Sequence, residues 1–161
     1  MHTITTAQTE NLAELAQLYR ETVQIHGPLY YTPRQVEVWA AFATDNRNFR
    51  KFILSGTTFL CGDETGILGF SGIRPTGHIL SAYVRHDRVR EGVGTKLLSV
   101  VINYARTEKM QRLWVEASEF SLKLFERSGF RLYQTQHLQR QDVVFKRYLL
   151  ELHLTGNPVS S

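Results

Sequence analysis

The sequence predicts a mixed α/β domain, a mostly antiparallel twisted sheet flanked by helices. Three observations carry this. Apolar residues recur at helical spacing through the first third of the chain. From Thr57 the period changes to that of strands, and Gly-rich turns separate short β-rich runs. After Gly94 a helix stands between two strands, which calls for a parallel crossover inside an otherwise antiparallel sheet.

Thr3 to Thr6 reads as a short strand. Leu12, Leu15, Ala16, Tyr19 and Val23 form one face of a helix over residues 9–25, which Gly27-Pro28 stops. Thr32-Pro33-Arg34-Gln35 starts the next helix. Thr32 serves as N-cap, Pro33 needs no N–H at N1, and Gln35 reaches back to the cap. Val36, Trp39, Ala40 and Ala43 make its buried stripe, and Phe49, Phe52 and Ile53 a further helical turn.

Residues 57–61 read as a strand, 62–66 as a turn, Ile67 to Ile73 as the returning strand and His78 to Arg85 as a third. Leu97, Leu98, Val101, Ile102 and Ala105 mark a long helix, and Arg112 to Ala117 a strand. Ser118 is the expected cap of the following helix, with Glu119 in its first turn and Phe120, Leu124 and Phe125 as its apolar face. Gly129 closes that helix. Phe130 to His137 and residues 144–154 are the last two strands. Trp39 and Trp114 are expected in the core, as is Cys61.

The 161 residues suit one domain, expected over 1–154, with 155–161 as a tail. Apolar residues at 42% and charged residues at 21% exclude a disordered chain. One cysteine excludes an internal disulfide framework and a Cys-rich zinc site, and none of the histidines has ligand spacing, so no metal is expected. A net charge of +4 fits an anionic ligand or a weak polyanion affinity and is too small to establish nucleic-acid binding, which would also need a clustered basic stripe. No signal-like start or membrane-length apolar run is visible. The expected setting is cytoplasmic, without membrane or nucleic-acid partners, as a monomer or homodimer.

The segment from Ala82 through Leu98 carries the chemistry. It is a strand, a loop with Gly92 and Gly94, and a helix start. Unpaired N–H groups at a helix N-terminus carry partial positive charge and favour an anion, most often phosphate. Arg88, Arg90 and Lys96 lie nearby. A Walker loop is excluded by the missing Gly-Lys-Ser/Thr, and Leu97 stands where a dinucleotide fingerprint needs its third glycine. Two readings stay open on these residues alone, an anion cradle or a plain strand-to-helix turn.

Residues 84–98 resemble the acetyl-CoA motif of the GNAT superfamily of N-acetyltransferases, Q/R-x-x-G-x-G/A after a strand. Residues 124–130, Leu-Phe-Glu-Arg-Ser-Gly-Phe, resemble its L-Y-E-x-x-G-F segment. The element order is the family's, and residues 31–40 are similar to a bacterial subgroup of small members. The resemblance implies the GNAT fold, with central strands splayed to admit acetyl-CoA, and acetyl transfer to a small-molecule or peptide amine.

It also implies roles. Ala82, Tyr83 and Val84 would line pantetheine, with a main-chain N–H near Val84 on the thioester carbonyl. Arg90, Glu91, Gly92, Val93, Gly94 and Thr95 would wrap the pyrophosphate, Ser118 and Phe125 would complete the cofactor site, and Lys96 and Arg127 are candidates for the outer phosphate. Two positions depart from the pattern. Val89 stands where Gln or Arg is preferred, and Phe125 replaces the tyrosine that often protonates the leaving thiolate. The acid is then another group such as Tyr133, or water, or none is needed.

Attack on a thioester needs a neutral amine, so a base is sought. Glu116, late in its strand, is the first candidate; the alternative is an exposed strand carboxylate. His86 is either a shuttle or a solvated loop residue. Tyr30 and Tyr31 either wall the acceptor site or pack on the rim. A second function stays open beside catalysis, an acyl-CoA-binding or sensing module with weak or no turnover, which Phe125 keeps in play.

Overall fold

The computed structural model describes residues 1–154; the expected tail lies outside them. The strands are β1 (Thr3–Thr6), β2 (Thr57–Asp63), β3 (Gly66–Ile73), β4 (His78–Ile79), β5 (Tyr83–Val84), β6 (Arg112–Ala117), β7 (Arg131–Arg140) and β8 (Val143–His153). The helices are α1 (Leu12–His26), α2 (Pro33–Ala41), α3 (Asn46–Leu54), α4 (Val93–Thr107) and α5 (Leu122–Arg127). The sheet runs β1-β2-β3-β4-β6-β8-β7, and β5 pairs with β3. Its pairs are antiparallel except β4 with β6, the parallel crossover through α4. This is the mixed, mostly antiparallel sheet with one parallel crossover that the sequence predicts.

Alternation along β2 sorts its side chains to two faces. Leu60 joins Leu15, Tyr19, Val23, Phe49 and Phe70 under α1, α2 and α3. Cys61, one residue on, joins Leu68, Val93 and Leu97 under α4. A further cluster packs Leu98 and Val101 of α4 and Phe125 of α5 on Leu113, Val115 and Leu150. Cys61 is fully buried, and burial pushes its thiol pKa up, so it is an inert core residue.

The α2 cap is as the sequence indicates. Thr32 Oγ1 accepts from the Gln35 N–H at 3.2 Å, and the Thr32 N–H donates to Gln35 Oε1 at 2.9 Å. Other elements differ. Residues 9–11 form a 3-10 turn, and α1 begins at Leu12 and runs to His26. The β2–β3 turn is only Glu64-Thr65, tightened by Asp63 Oδ1 accepting from the Thr65 N–H at 2.8 Å and its hydroxyl at 2.6 Å.

Ser118 does not cap α5. Its hydroxyl accepts from the Ser121 N–H at 3.1 Å, which builds a turn and delays the helix to Leu122. Phe120 and Glu119 therefore belong to that turn rather than to a helix. Trp114 is not core: on β6 the buried positions are Leu113, Val115 and Ala117, and Trp114 faces the other way, stacked on His78 at 3.8 Å. Trp39 packs partly buried against the first core cluster.

The expected third strand is two strands. Leu80, Ser81 and Ala82 lie between β4 and β5; the Leu80 N–H still donates to the Gly72 carbonyl at 2.8 Å, and the ladder is lost after it. Side chains take its place: Ser71 Oγ donates to the Ser81 carbonyl at 2.7 Å, and the Gly72 N–H donates to Ser81 Oγ at 2.9 Å. Before the break the strand bridges β3 and β6; after it, β5 bonds β3 alone.

Candidate active site

The break opens a cleft of about 280 Å³ between β5 and β6. Ser81, Ala82, Tyr83 and Phe125 line one part of it, and Glu116, Ser118 and Ser121 another. Tyr31, Trp39, Phe120 and Phe145 form an aromatic wall: Tyr31 meets Trp39 edge-on at 5.1 Å, and Trp39 meets Phe120 at 6.5 Å.

The backbone of β5 is set by its partner. The Arg85 N–H donates to the Leu68 carbonyl at 2.7 Å, so the next residue in the antiparallel alternation, Val84, turns its polar groups away from β3. The Val84 carbonyl accepts from Thr22 Oγ1 of α1 at 2.7 Å. Its N–H points to the same side. The Tyr83 ring is buried, stacked on Phe70 at 5.4 Å, and its hydroxyl accepts from Trp39 Nε1 at 3.3 Å. Burial raises its pKa, which keeps the phenol neutral.

Downstream of β5 the chain turns into α4. Arg90 and Gly92 both have left-handed backbone, φ 65° and 85°. Gly92 is the N-cap, and the first bond back to it comes from the Lys96 N–H at 2.9 Å. The Val93, Gly94 and Thr95 N–H groups thus have no carbonyl one turn earlier within the helix. A side chain on Gly92 would meet open space, whereas one on Gly94 would lie 3.0 Å from Leu124 Cδ2 and 3.5 Å from Val84 Cγ2. Gly94 thus answers to close packing of α4 on α5 as well as to any ligand. Lys96 and Arg127 are exposed, Lys96 on α4 and Arg127 at the end of α5. Arg88 is engaged with Asp63 Oδ2 at 3.1 Å.

Glu116 does not stand alone. His78 of β4 lies 2.7 Å away, Nε2 to Oε1, with the two side chains 16% and 24% exposed. A carboxylate only accepts, so Nε2 carries the hydrogen of this bond. His78 holds the Glu116 carboxyl below the usual glutamate range, against the opposing effect of burial. Both residues line the cleft. His78 is the participant that sequence reasoning missed, being 38 positions from Glu116. Strand register brings them together: His78 is level with Trp114, and Glu116 is two residues further on the same face.

The remaining candidates divide. Tyr31 lines the cleft, and its hydroxyl accepts from the Glu119 N–H at 2.8 Å; burial raises its pKa. Tyr30 is 52% exposed and edge-on to Phe120, outside the cleft lining. His86 lies 3.7 Å from Glu21, and Tyr133 sits under Arg112, both outside the cleft lining. Phe125 is 1% exposed and edge-on to Phe130.

Comparison with known proteins agrees with this geometry. Residues 29–152 match the family described as the acetyltransferase (GNAT) domain. The chain belongs to the GNAT acetyltransferase family.

Among solved structures it is similar to the GCN5-related N-acetyltransferase from Rhodopseudomonas palustris, at 22% identity and TM-score 0.90, covering 94% of this chain and 95% of that one. The PaiA N-acetyltransferase from Thermoplasma acidophilum, solved with coenzyme A, shares 13% identity at TM-score 0.77, over 95% and 99% of the two chains. The YncA protein from Salmonella typhimurium, solved with acetyl-CoA, shares 18% identity at TM-score 0.71, over 99% and 98%. No curated protein sequence matches the chain. Among the described residues no helix is long and apolar enough to cross a membrane, and no group of three metal-ligating side chains gathers.

Proposed function

We propose that this chain transfers an acetyl group from acetyl-CoA to a primary amine by direct attack, without an acetylated enzyme. The carrying observation is the break at Leu80–Ala82. It frees the outward edge of β5 beside the Glu116–His78 pair and leads straight into the open N-terminus of α4.

The residues present fit acetyl-CoA, which supplies an acetyl group activated as a thioester. Val93, Gly94 and Thr95 N–H groups are free for its pyrophosphate, with Arg90, Glu91 and Gly92 shaping the loop around it. Ala82 and Tyr83, with Ser118 and Phe125, line the cleft where pantetheine would lie. The Val84 N–H is the donor on offer to the thioester carbonyl.

Glu116, ionised because His78 donates to it, accepts the proton of the incoming amine and passes it to water. The nitrogen–carbon bond forms and the carbon–sulfur bond breaks, CoA leaving as the thiolate and then taking a proton from water. His78 positions Glu116 and fixes which oxygen faces the amine. Tyr31 and the aromatic wall bound the acceptor side.

Phe125 favours a second reading, a CoA-binding module without turnover, since it removes the family's usual acid at a buried cleft position. Release of free CoA with a panel of amines, polyamines, aminoglycosides and peptides decides. Amine-dependent release supports transfer. Tight acetyl-CoA binding with no release for any amine supports the module.

A further inference from the structure

The acceptor end of the cleft carries three cations and one carboxylate. Arg140, Lys146 and Arg147, all from the β7–β8 hairpin, line it, and among the described residues the only acidic one lining it is Glu116, already engaged by His78. Among the described residues none of the three cations is in an ion pair. Arg147 donates from Nη2 to Gln136 at 2.6 Å, while its Nε is buried without a hydrogen-bond partner. Arg140 lies close enough to Tyr19 and Tyr83 for its charge to act on both phenols. Lys146 rests over the Tyr148 ring at 5.1 Å.

The hairpin is fixed over the cleft. Arg34 at the start of α2 grips Asp142 at its tip, with Nη2 2.7 Å and Nε 3.0 Å from Oδ1, and Gln35 Nε2 donates to the Val144 carbonyl at 2.8 Å. The strands that carry the cations are therefore held in place, and among the described residues no carboxylate neutralises them. A buried donor without a partner is costly unless a ligand supplies one. The rings of Tyr31, Trp39 and Phe120 line the same cleft, with Phe145 on the hairpin itself, and favour an apolar body.

We propose that the acceptor is an amino acid with an aromatic or large apolar side chain, its amine facing Glu116 and its carboxylate held by Arg140 and Arg147. Arg147 is near enough to Glu116 to help hold its carboxyl ionised, so the proton acceptor and the anion site are neighbours. That matches an amine and a carboxylate on one carbon. Guanidinium suits the carboxylate because its planar fork presents paired donors. The inference rests on the acetyltransferase reading above and deepens it.

The test compares phenylalanine with phenethylamine, which lacks the carboxylate, and with phenylalaninamide, which lacks its charge, by CoA release. Acetyl-CoA binding is measured separately by calorimetry. The expected kcat/KM for phenylalanine exceeds both others by at least about tenfold. Arg140→Gln narrows that preference to within about threefold, mainly through KM, while Lys51→Gln, a surface change on α3, leaves it as it was. Equal or better use of phenethylamine overturns the proposal, as does acetyl-CoA binding with no turnover of phenylalanine. An Arg140→Gln preference equal to wild type also overturns it. Absence of acetyl-CoA binding would instead overturn the acetyltransferase reading on which it rests.

Discussion

His78 and Glu116 meet at 2.7 Å across the single parallel pairing among the described strands, just before the sheet opens. The carboxylate is held at the start of the cleft by a neighbour that exists only because β4 still pairs with β6. Glu116→Gln keeps the shape and removes the proton acceptor. We expect turnover to fall by about 10² or more with acetyl-CoA affinity held. Steady-state kinetics with parallel calorimetry checks this, and wild-type turnover across the pH range would move the role to water.

The same pair predicts a pH effect. The His78 hydrogen bond is the largest influence lowering the Glu116 pKa from its ordinary 4.5, and burial opposes it. His78→Ala removes that bond, so the acid limb of kcat/KM moves to higher pH. In stability the sign follows from linkage. A carboxyl with a depressed folded pKa stabilises above its unfolded value and loses that contribution as pH falls through the folded one. The stability difference between wild type and Glu116→Gln is therefore present near neutral pH and shrinks below the ordinary value. Thermal melts over acidic pH read it directly.

The α4 loop predicts different outcomes for its two glycines. Gly92→Asp points into open space at φ 85°. It places a negative charge beside the free N–H groups at a backbone cost of about 1–2 kcal/mol. Acetyl-CoA affinity should fall at least tenfold, about 1.4 kcal/mol. Gly94→Ala instead pushes Leu124, 3.0 Å away, and should lower thermal stability, with Leu124→Ala relieving it in the double variant. Unchanged affinity in folded Gly92→Asp would remove the pyrophosphate from this loop.

Phe125→Tyr tests the missing family tyrosine. The new hydroxyl enters a 1% exposed site and should cost about 1–3 kcal/mol through strain or an unpaired group. We expect turnover to change by less than about tenfold, because thiolate is a tolerable leaving group. A larger increase would make leaving-group protonation the limiting step.

Arg34→Ala removes the ion pair to Asp142 and leaves the β7–β8 tip tied to α2 through Gln35. KM for the acceptor should rise while acetyl-CoA affinity holds, since the α4 loop lies elsewhere. Equal loss of both would mean that the hairpin supports the whole cleft rather than its acceptor wall.

Much of this was legible in local pattern. The Thr32-Pro33-x-Gln35 cap, the α4 stripe of Leu97, Leu98 and Val101, and the β6 span from Arg112 to Ala117 each depend on neighbours in sequence. The break at Leu80–Ala82, with its one-residue shift of register on β3, was hidden, because it rests on Ser71 and Ser81 bonding across to the neighbouring strand and no turn residue marks it. The His78 contact was hidden for another reason: register between distant strands is not written in either one. Ser118 has the chemistry of a cap, but pairing with Ser121 turns it into a tight turn. The β7–β8 cations carry no local signal in the sequence, since Arg34 and Gln35, more than 100 positions away, hold their hairpin over the cleft.

Acetyl transfer at the opened sheet is decided by one measurement. Purified protein is incubated with acetyl-CoA, with and without a primary amine, while free CoA is measured and the intact protein mass is followed. The account predicts CoA release that depends on the amine, N-acetylated amine in equal amount, and an unchanged protein mass. Acetyl-CoA binding without release for any amine, or a stably acetylated protein on the path to product, would contradict it.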